Sequence, residues 1–446
     1  MNLKRFIFIG WILYLMCGCS GTENIVEQHL AIAEKYPAHS LKEDYEQLLR
    51  VLNKNHPALY DFTDKDEYHH LAKLQSEKIT DSLTISEFYH ILLPLVSKIG
   101  CGHSGVHLPD WVWKDSTITL LPLKLFFHNK RGYIINNYTS YEQLRAGTEI
   151  LAINGWSISS MLQRLQTCIP TDGNNFSAKR EALNQFFNQL ISSSEGFPHS
   201  YEISFRLSET DSIENMIVSS IKSQLYFDTQ PKSDSLLQFE IDSARNTAII
   251  TIKSFGFYDR VEEFKTFVDN SFNQIQQSKI DHVILDLRNN GGGDPFCSSY
   301  LMTYLAKEPV PYFSEPYPTY TALAKPLPLS VNHFSGKLYT LINGISFSST
   351  AHLCALLKYH HIGEFIGTET GGTYTCNDNS QNFQLINTGI LVKVARSTFA
   401  VAVEGLPRFK GILPDYSVER SLEDMLASDD LIKEFAIKRV EESLVK

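Results

Sequence analysis

The chain has 446 residues, 43% hydrophobic and 20% charged, which excludes wholesale disorder and leaves room for two or three cores at ~150 residues per domain. Lys plus Arg number 40 against 50 Asp plus Glu, a balance of −10, and no Lys/Arg-rich block follows Arg5, so nucleic-acid binding through a phosphate-neutralising surface is disfavoured. Beyond Cys17 and Cys19 the cysteines are Cys101, Cys168, Cys297, Cys354 and Cys376, odd in number and irregular in spacing, which does not indicate a disulfide framework.

At the amino terminus, Lys4 and Arg5 precede an apolar run of 12 residues, Phe6 to Cys17, too short to span a bilayer. It reads as a signal peptide over residues 1–18. The run closes on Met16-Cys17-Gly18-Cys19-Ser20, which resembles the lipobox of bacterial lipoproteins. That resemblance implies acylation of Cys19 as the new amino terminus and a membrane partner through the lipid, at the periplasmic or cell-surface face of the envelope. An uncleaved anchor or a cleaved soluble chain are the alternatives.

Residues 19–117 then read as a helical domain. Ser40-Leu41-Lys42-Glu43 fits a capping box ahead of Tyr45, Leu48, Leu49 and Leu52, one apolar helix face. Thr84-Ile85-Ser86-Glu87 repeats the signature before Phe88, Ile91, Leu92, Leu95, Val96 and Ile99, with Pro94 a candidate kink. Gly100 is a natural stop, so Cys101-Gly102-His103-Ser104 is expected in a loop just past a helix.

Residues 118–235 are β-rich, with strand-like runs at Leu120–Phe127, Tyr133–Asn136 and Glu149–Ile153. The stretch from Leu144 to Ile158, containing Glu149-Ile-Leu-Ala-Ile-Asn-Gly155, resembles PDZ domains, which capture chain ends by adding a peptide strand. Leu121-Pro122-Leu123 stands where such domains carry their carboxylate-binding loop, so a spacer without ligand is an equal reading.

Residues 236–446 alternate strands and helices. Thr247–Lys253 is strand-like, and Val261, Phe264, Val268, Phe272 and Ile275 mark one helix face. The continuous apolar runs His282–Leu287 and Leu338–Ile342 imply a sheet covered on both faces. Both runs end in turn residues, Asn289-Asn290-Gly291-Gly292-Gly293 and Asn343-Gly344, at the strand ends where α/β folds gather ligands. Consecutive glycines can converge N–H groups on an anion or oxyanion, or simply permit a turn. No Gly-Lys-Ser/Thr follows them to make a phosphate loop. After the second turn, Ser348 opens a helix carrying Leu353, Leu356 and Leu357. It is a helix cap or a nucleophile with an oxyanion donor in the next residue's N–H.

Asp286-Leu-Arg-Asn-Asn-Gly-Gly-Gly293 and Ile342-Asn-Gly-Ile-Ser-Phe-Ser-Ser-Thr-Ala351, followed by Gly363–Gly372 and Gly411-Ile-Leu-Pro-Asp415, resemble the C-terminal processing (tail-specific) serine peptidases. The resemblance implies an α/β fold: a crotonase/ClpP-like catalytic domain behind an N-terminal helical domain and a PDZ-like β-rich domain. It maps the nucleophile to Ser348 and the oxyanion donors to the backbone of Gly292 and Ser349. In the family's Ser/Lys branch a lysine holds the position occupied here by Thr373. The branch similar to tricorn protease instead takes a histidine from a Gly-His-Ser/Thr context, which Gly102-His103-Ser104 matches. A neutral imidazole can accept the serine proton and return it to the leaving amine. By itself His103 is equally a loop histidine, or a zinc ligand with Cys101 and His107, although no second ligand cluster accompanies them. For the acid that orients the imidazole, the resemblance places a glutamate shortly before the Gly411–Asp415 turn, which makes Glu404 the first candidate, with Asp378 and Asp294 behind it and an uncharged orienter as a further alternative. The expectation is therefore a serine endopeptidase acting on peptide or protein substrates without metal or organic cofactor. A non-catalytic envelope binding protein on the same scaffold, holding peptide ends, glycan or lipid, is the alternative.

Overall fold

In the computed structural model, which describes residues 32–207, 210–230 and 235–444, the first long helix (α1) spans Ala38–Asn55 and begins earlier than expected. Pro37 is its N-cap, and its carbonyl already accepts from the N–H groups of Ser40 and Leu41. Ser40 therefore lies inside the first turn, and the expected capping box at Ser40–Glu43 does not form. Tyr45, Leu48 and Leu52 are buried on the inner face. The second box does form: Thr84 caps the helix Ile85–Ser97 (α2), and Glu87 reaches back to the Thr84 N–H at 2.7 Å. Pro94 sits within α2, and Gly100, at φ +69°, turns the chain out of it. The short strand Gly105–His107 (β1) follows. The expected signal segment and Cys19 lie outside the described residues, among which no helix is long and apolar enough to cross a membrane.

The β-rich region is an antiparallel sheet whose five long strands lie in the order Ile213–Ser219, Ser200–Arg206, Glu149–Ile153, Arg131–Asn137 and Leu123–His128 (β2). Asn154 and Gly155, at φ +48° and +76°, make the expected tight turn. The helix Phe176–Ser194 (α3) lies along β2 and occupies its free edge with side chains. Asn188 Nδ2 donates to the carbonyls of Leu121 and Leu123 at 2.7 and 2.8 Å, and Asn184 Oδ1 accepts from Phe127 N–H at 2.8 Å. Adding a peptide strand there would first require breaking these bonds.

The carboxy-terminal region is built on a six-stranded sheet. Its order is Leu237–Asp242 (β3), Thr247–Ile252 (β4), His282–Asp286 (β5), Lys337–Ile342 (β6), Glu364–Gly367 (β7) and the short strand Tyr416–Ser417. Only β3 runs antiparallel to its neighbour. Val283 and Leu285 point into the larger core, which holds the helices Val261–Gln277 (α4), Pro295–Leu305 (α5) and Ser349–Tyr359 (α6). Ile284 points the other way, against the helix Leu431–Leu444. Burial on both faces is why these strands are apolar without alternation.

One segment does not obey the expected boundary at residue 236. The hairpin Gln381–Gln384 (β8) and Leu391–Val394 (β9) leaves the carboxy-terminal sheet and joins the helical region. Its Leu385, Ile390, Val392, Val394 and Ala395 are buried in the same core as Leu48 and Phe88. β9 pairs with β1, Lys393 opposite Gly105 and Leu391 opposite His107. The hairpin tip is locked onto α1 by Asp44, fully buried, whose carboxylate accepts from Asn387 N, Asn387 Nδ2, Thr388 N and Thr388 Oγ1 at 2.7–3.0 Å. Asp44→Ala would strand these donors inside the protein. It is expected to destabilise the fold by about 2–4 kcal/mol and to lower peptidase turnover with it. Urea unfolding with an unchanged midpoint would contradict this reading of the hairpin.

Candidate active site

The two glycine- and asparagine-rich strand ends are knitted into one platform. Asn343 Oδ1 accepts from the N–H groups of Asn289 and Ile345 at 3.0 and 3.1 Å, and its Nδ2 donates to Asn289 Oδ1 at 2.9 Å. Ser346 Oγ donates to Leu287 O at 2.9 Å, and Phe347 N–H to Asn290 O at 3.1 Å. Arg288 points away from this platform and forms ion pairs with Asp286 and Asp430, so the charged residues of this motif hold the sheet rather than face the cleft.

Ser348 ends the platform in a conformation that side chains rarely adopt, φ +55° and ψ −128°, directly before α6. The turn is sharp enough that only glycines fit around it. A Cβ on Gly292 would come within 2.7 Å of Ser348 Cβ, and one on Gly372 within 2.9 Å of Ser348 N. Ser348 occupies the N-cap position, yet its hydroxyl makes no cap hydrogen bond to the helix. It lies 3.1 Å from His103 Nε2 instead, so the reading of Ser348 as a simple helix cap does not hold.

His103 reaches this point because the hairpin brings it there. The turn Cys101–Ser104 is closed by a hydrogen bond from Ser104 N–H to Cys101 O, and Gly102 N–H donates to Asp172 Oδ1 at 2.9 Å. Ala395 N–H, just past β9, donates to Ser104 Oγ at 3.1 Å. The imidazole is 2% exposed and lies tilted on the Phe347 ring, centroids 4.6 Å apart. Burial pushes its pKa below the ordinary histidine value, against an upward pull from Asp378, with Lys393 adding to the depression. The ring is thus neutral at neutral pH, the state that accepts a proton.

The carboxylate near His103 is Asp378, at 3.6 Å from Nε2. Glu404, the first candidate for this place, is exposed in the loop before Gly405 and is not brought to the imidazole. Asp294 caps α5 by accepting from Phe296 N–H at 2.9 Å. Asp378 is held at the start of the hairpin, where Ser380 Oγ lies 3.0 Å from its Oδ1 and 3.2 Å from His103 O. Burial works against its charge, but His103, Lys393 and the Ser380 hydrogen bonds outweigh that and leave the carboxyl below its usual range. Both Ser348 and Asp378 approach Nε2, while Nδ1 is buried without a hydrogen-bond partner among the described residues.

The two expected oxyanion donors, the N–H groups of Gly292 and Ser349, differ in their hydrogen bonding. Gly292 N–H donates to Asn290 Oδ1 at 2.9 Å, because the left-handed turn at φ +95° directs it inward, and is therefore occupied. Gly293 lines the cavity beside Ser348, and neither its N–H nor that of Ser349 donates a hydrogen bond among the described residues. Thr373, where the other branch carries lysine, is buried, and its hydroxyl donates to Thr375 O. The zinc set also fails to assemble: Cys101 Sγ donates to Asn377 O, and among the described residues no three His, Cys, Asp or Glu side chains are placed to hold a metal.

Before Ser348 lies a cavity of about 410 Å³, walled by aromatic side chains that include Phe313, Tyr317, Tyr320 and Phe399. A serine hydroxyl on a strained strand-to-helix turn, an imidazole against it and unpaired N–H groups over a cleft define a serine hydrolase. Residues 246–418 match peptidase family S41, which makes the enzyme a serine-type peptidase acting on peptides or proteins. The fold resembles that of mature CPAF at 14% identity and a TM-score of 0.64, over 90% of this chain and 97% of that one. The structure of mature CPAF complexed with lactacystin is similar at 14% identity and a TM-score of 0.65, over 91% and 99%. The photosystem II D1 C-terminal processing protease aligns at 12% identity and a TM-score of 0.43, over 85% and 93%. No curated protein matches the sequence.

Proposed function

We propose that the protein is a serine endopeptidase in which Ser348 attacks the peptide carbonyl and His103 is the general base. The observation that carries this is the 3.1 Å approach of His103 Nε2 to Ser348 Oγ across 245 residues of chain. As Oγ bonds to the carbonyl carbon, its proton passes to Nε2, and the carbonyl oxygen takes the negative charge between the N–H groups of Gly293 and Ser349. The α6 amino terminus, at Ser349, adds its positive dipole end to that site. The proton then leaves Nε2 for the departing amine, and water hydrolyses the acyl-serine by the same route. Asp378 acts on the charged ring: it adds nothing to a neutral Nε2 lone pair but stabilises the imidazolium once Nε2 carries the proton.

Stoichiometric labelling by a fluorophosphonate tests the reading. Modification is expected on Ser348, absent in Ser348→Ala and slowed severely in His103→Ala; tight peptide binding without labelling would favour the non-catalytic alternative. The amino-terminal sequence further supports a lipid-anchored protein of the bacterial envelope, acylated at Cys19. Incorporation of a fatty-acid analogue that survives Cys19→Ala would refute that attachment.

A further inference from the structure

His352 lies one helical turn past Ser348 on α6 and lines the same cavity. It is 3% exposed, and neither ring nitrogen has a hydrogen-bond partner among the described residues. Ser349, three residues earlier and on the same helix face, is 2% exposed, also lines the cavity, and its Oγ is likewise without a partner. Buried polar groups in this state are costly, and two of them side by side beside the nucleophile are not needed by proton transfer. Their surroundings combine aromatic and charged groups: the His352 ring meets Phe313 and Tyr312 edge-on, with centroids 6.1 and 6.4 Å away, and Asp378 and Lys393 also line the cavity.

We propose that His352, with the Ser349 hydroxyl, makes this cavity a pocket for a tyrosine side chain on the acyl side of the scissile bond. The proposal rests on the peptidase reading above, since that chemistry seats the scissile carbonyl at Gly293 and Ser349 and sends the preceding side chain into the cavity. Aromatic walls suit a flat ring. A phenol hydroxyl both donates and accepts, as a neutral imidazole and a serine hydroxyl do, so one group can pair with the Ser349 hydroxyl and with one of the two ring nitrogens. Burial depresses the His352 pKa to about 3, with His103 adding to the effect, so the ring carries no charge to pair with an acidic side chain. Phenylalanine or leucine would fill the walls but leave the polar groups stranded in a cavity emptied of water.

The test compares kcat/KM for otherwise identical peptides carrying Tyr or Phe before the cleaved bond. Wild-type enzyme is expected to prefer Tyr by about 10- to 100-fold. His352→Leu should bring the ratio to about unity, while His352→Gln, which keeps a donor and an acceptor, should retain part of it. Equal rates on the two peptides in wild-type enzyme, or a preference undiminished in His352→Leu, would overturn the assignment. Fluorophosphonate labelling of each variant reports whether the site is intact. Should His352→Leu fail to label, Ser349→Ala, which keeps the backbone N–H, takes its place: a reduced ratio is expected, and an unchanged one overturns the proposal. Failure of the peptidase reading itself would look different, as no labelling and no cleavage of either peptide by the wild-type protein.

Discussion

Ser348→Ala and His103→Ala are each expected to lower kcat on peptide substrates by on the order of 10^6, as for nucleophile and base in a triad acting as one unit. The reason is geometric. The hydroxyl faces the imidazole at 3.1 Å and makes no cap bond to its helix, so removing either group takes away the other's proton-transfer partner. The double variant should consequently be no slower than either single one. Active-site titration alongside single-turnover kinetics would check both statements, and a Ser348→Ala protein cleaving at the wild-type rate would end the mechanism.

Asp378→Asn should lower kcat by on the order of 10^4, less than loss of the base and comparable to loss of an orienting aspartate elsewhere. The carboxylate stands 3.6 Å from Nε2, where it stabilises the imidazolium without fixing the Nδ1 tautomer. The pH profile separates this role from a structural one. The base works neutral, so kcat/KM rises with pH through the His103 pKa, which burial already holds below the ordinary value. Asp378 pulls that pKa upward, so its removal should move the acid limb to still lower pH while the plateau falls. A limb moving to higher pH, or an unmoved limb with full activity, would exclude Asp378 from the proton transfer. The stability linkage has the matching sign. A depressed histidine pKa contributes stability that is present at neutral pH and is lost as pH falls and the ring must charge inside the core.

Several parts of the fold were legible because their causes are local. The Thr84–Glu87 box, the Gly100 stop, the Asn154-Gly155 turn and the apolar runs of β5 and β6 each depend on a few adjacent residues. Ser40 misled because proline at residue 37 supplies an earlier start, and a capping serine competes poorly with a carbonyl already closing the turn. Other features had no local signature. Asp378 stood behind Glu404 among the candidate acids because nothing in the chain reveals that the segment after Asp378 crosses to another core. His352 carried no signal at all, being one of many polar residues on a helix whose leucines explain its burial. The engagement of the Gly292 N–H by Asn290 depends on where an N–H points, which three consecutive glycines leave open.

The amino-acid order by itself determined the chemistry on offer: a serine at a strand-to-helix turn, a histidine just past a helix stop, and glycines where N–H groups could gather. It also determined a sheet buried on both faces, since apolar runs without alternation have no other stable setting. Only the tertiary structure decided that these groups meet. The meeting depends on a hairpin from the carboxy-terminal region being buried among amino-terminal helices, pinned by Asp44 and paired with the strand directly after His103. Contacts across such separations are chosen by the collective burial of apolar surface, a property of the whole packed chain to which each short segment contributes only a part.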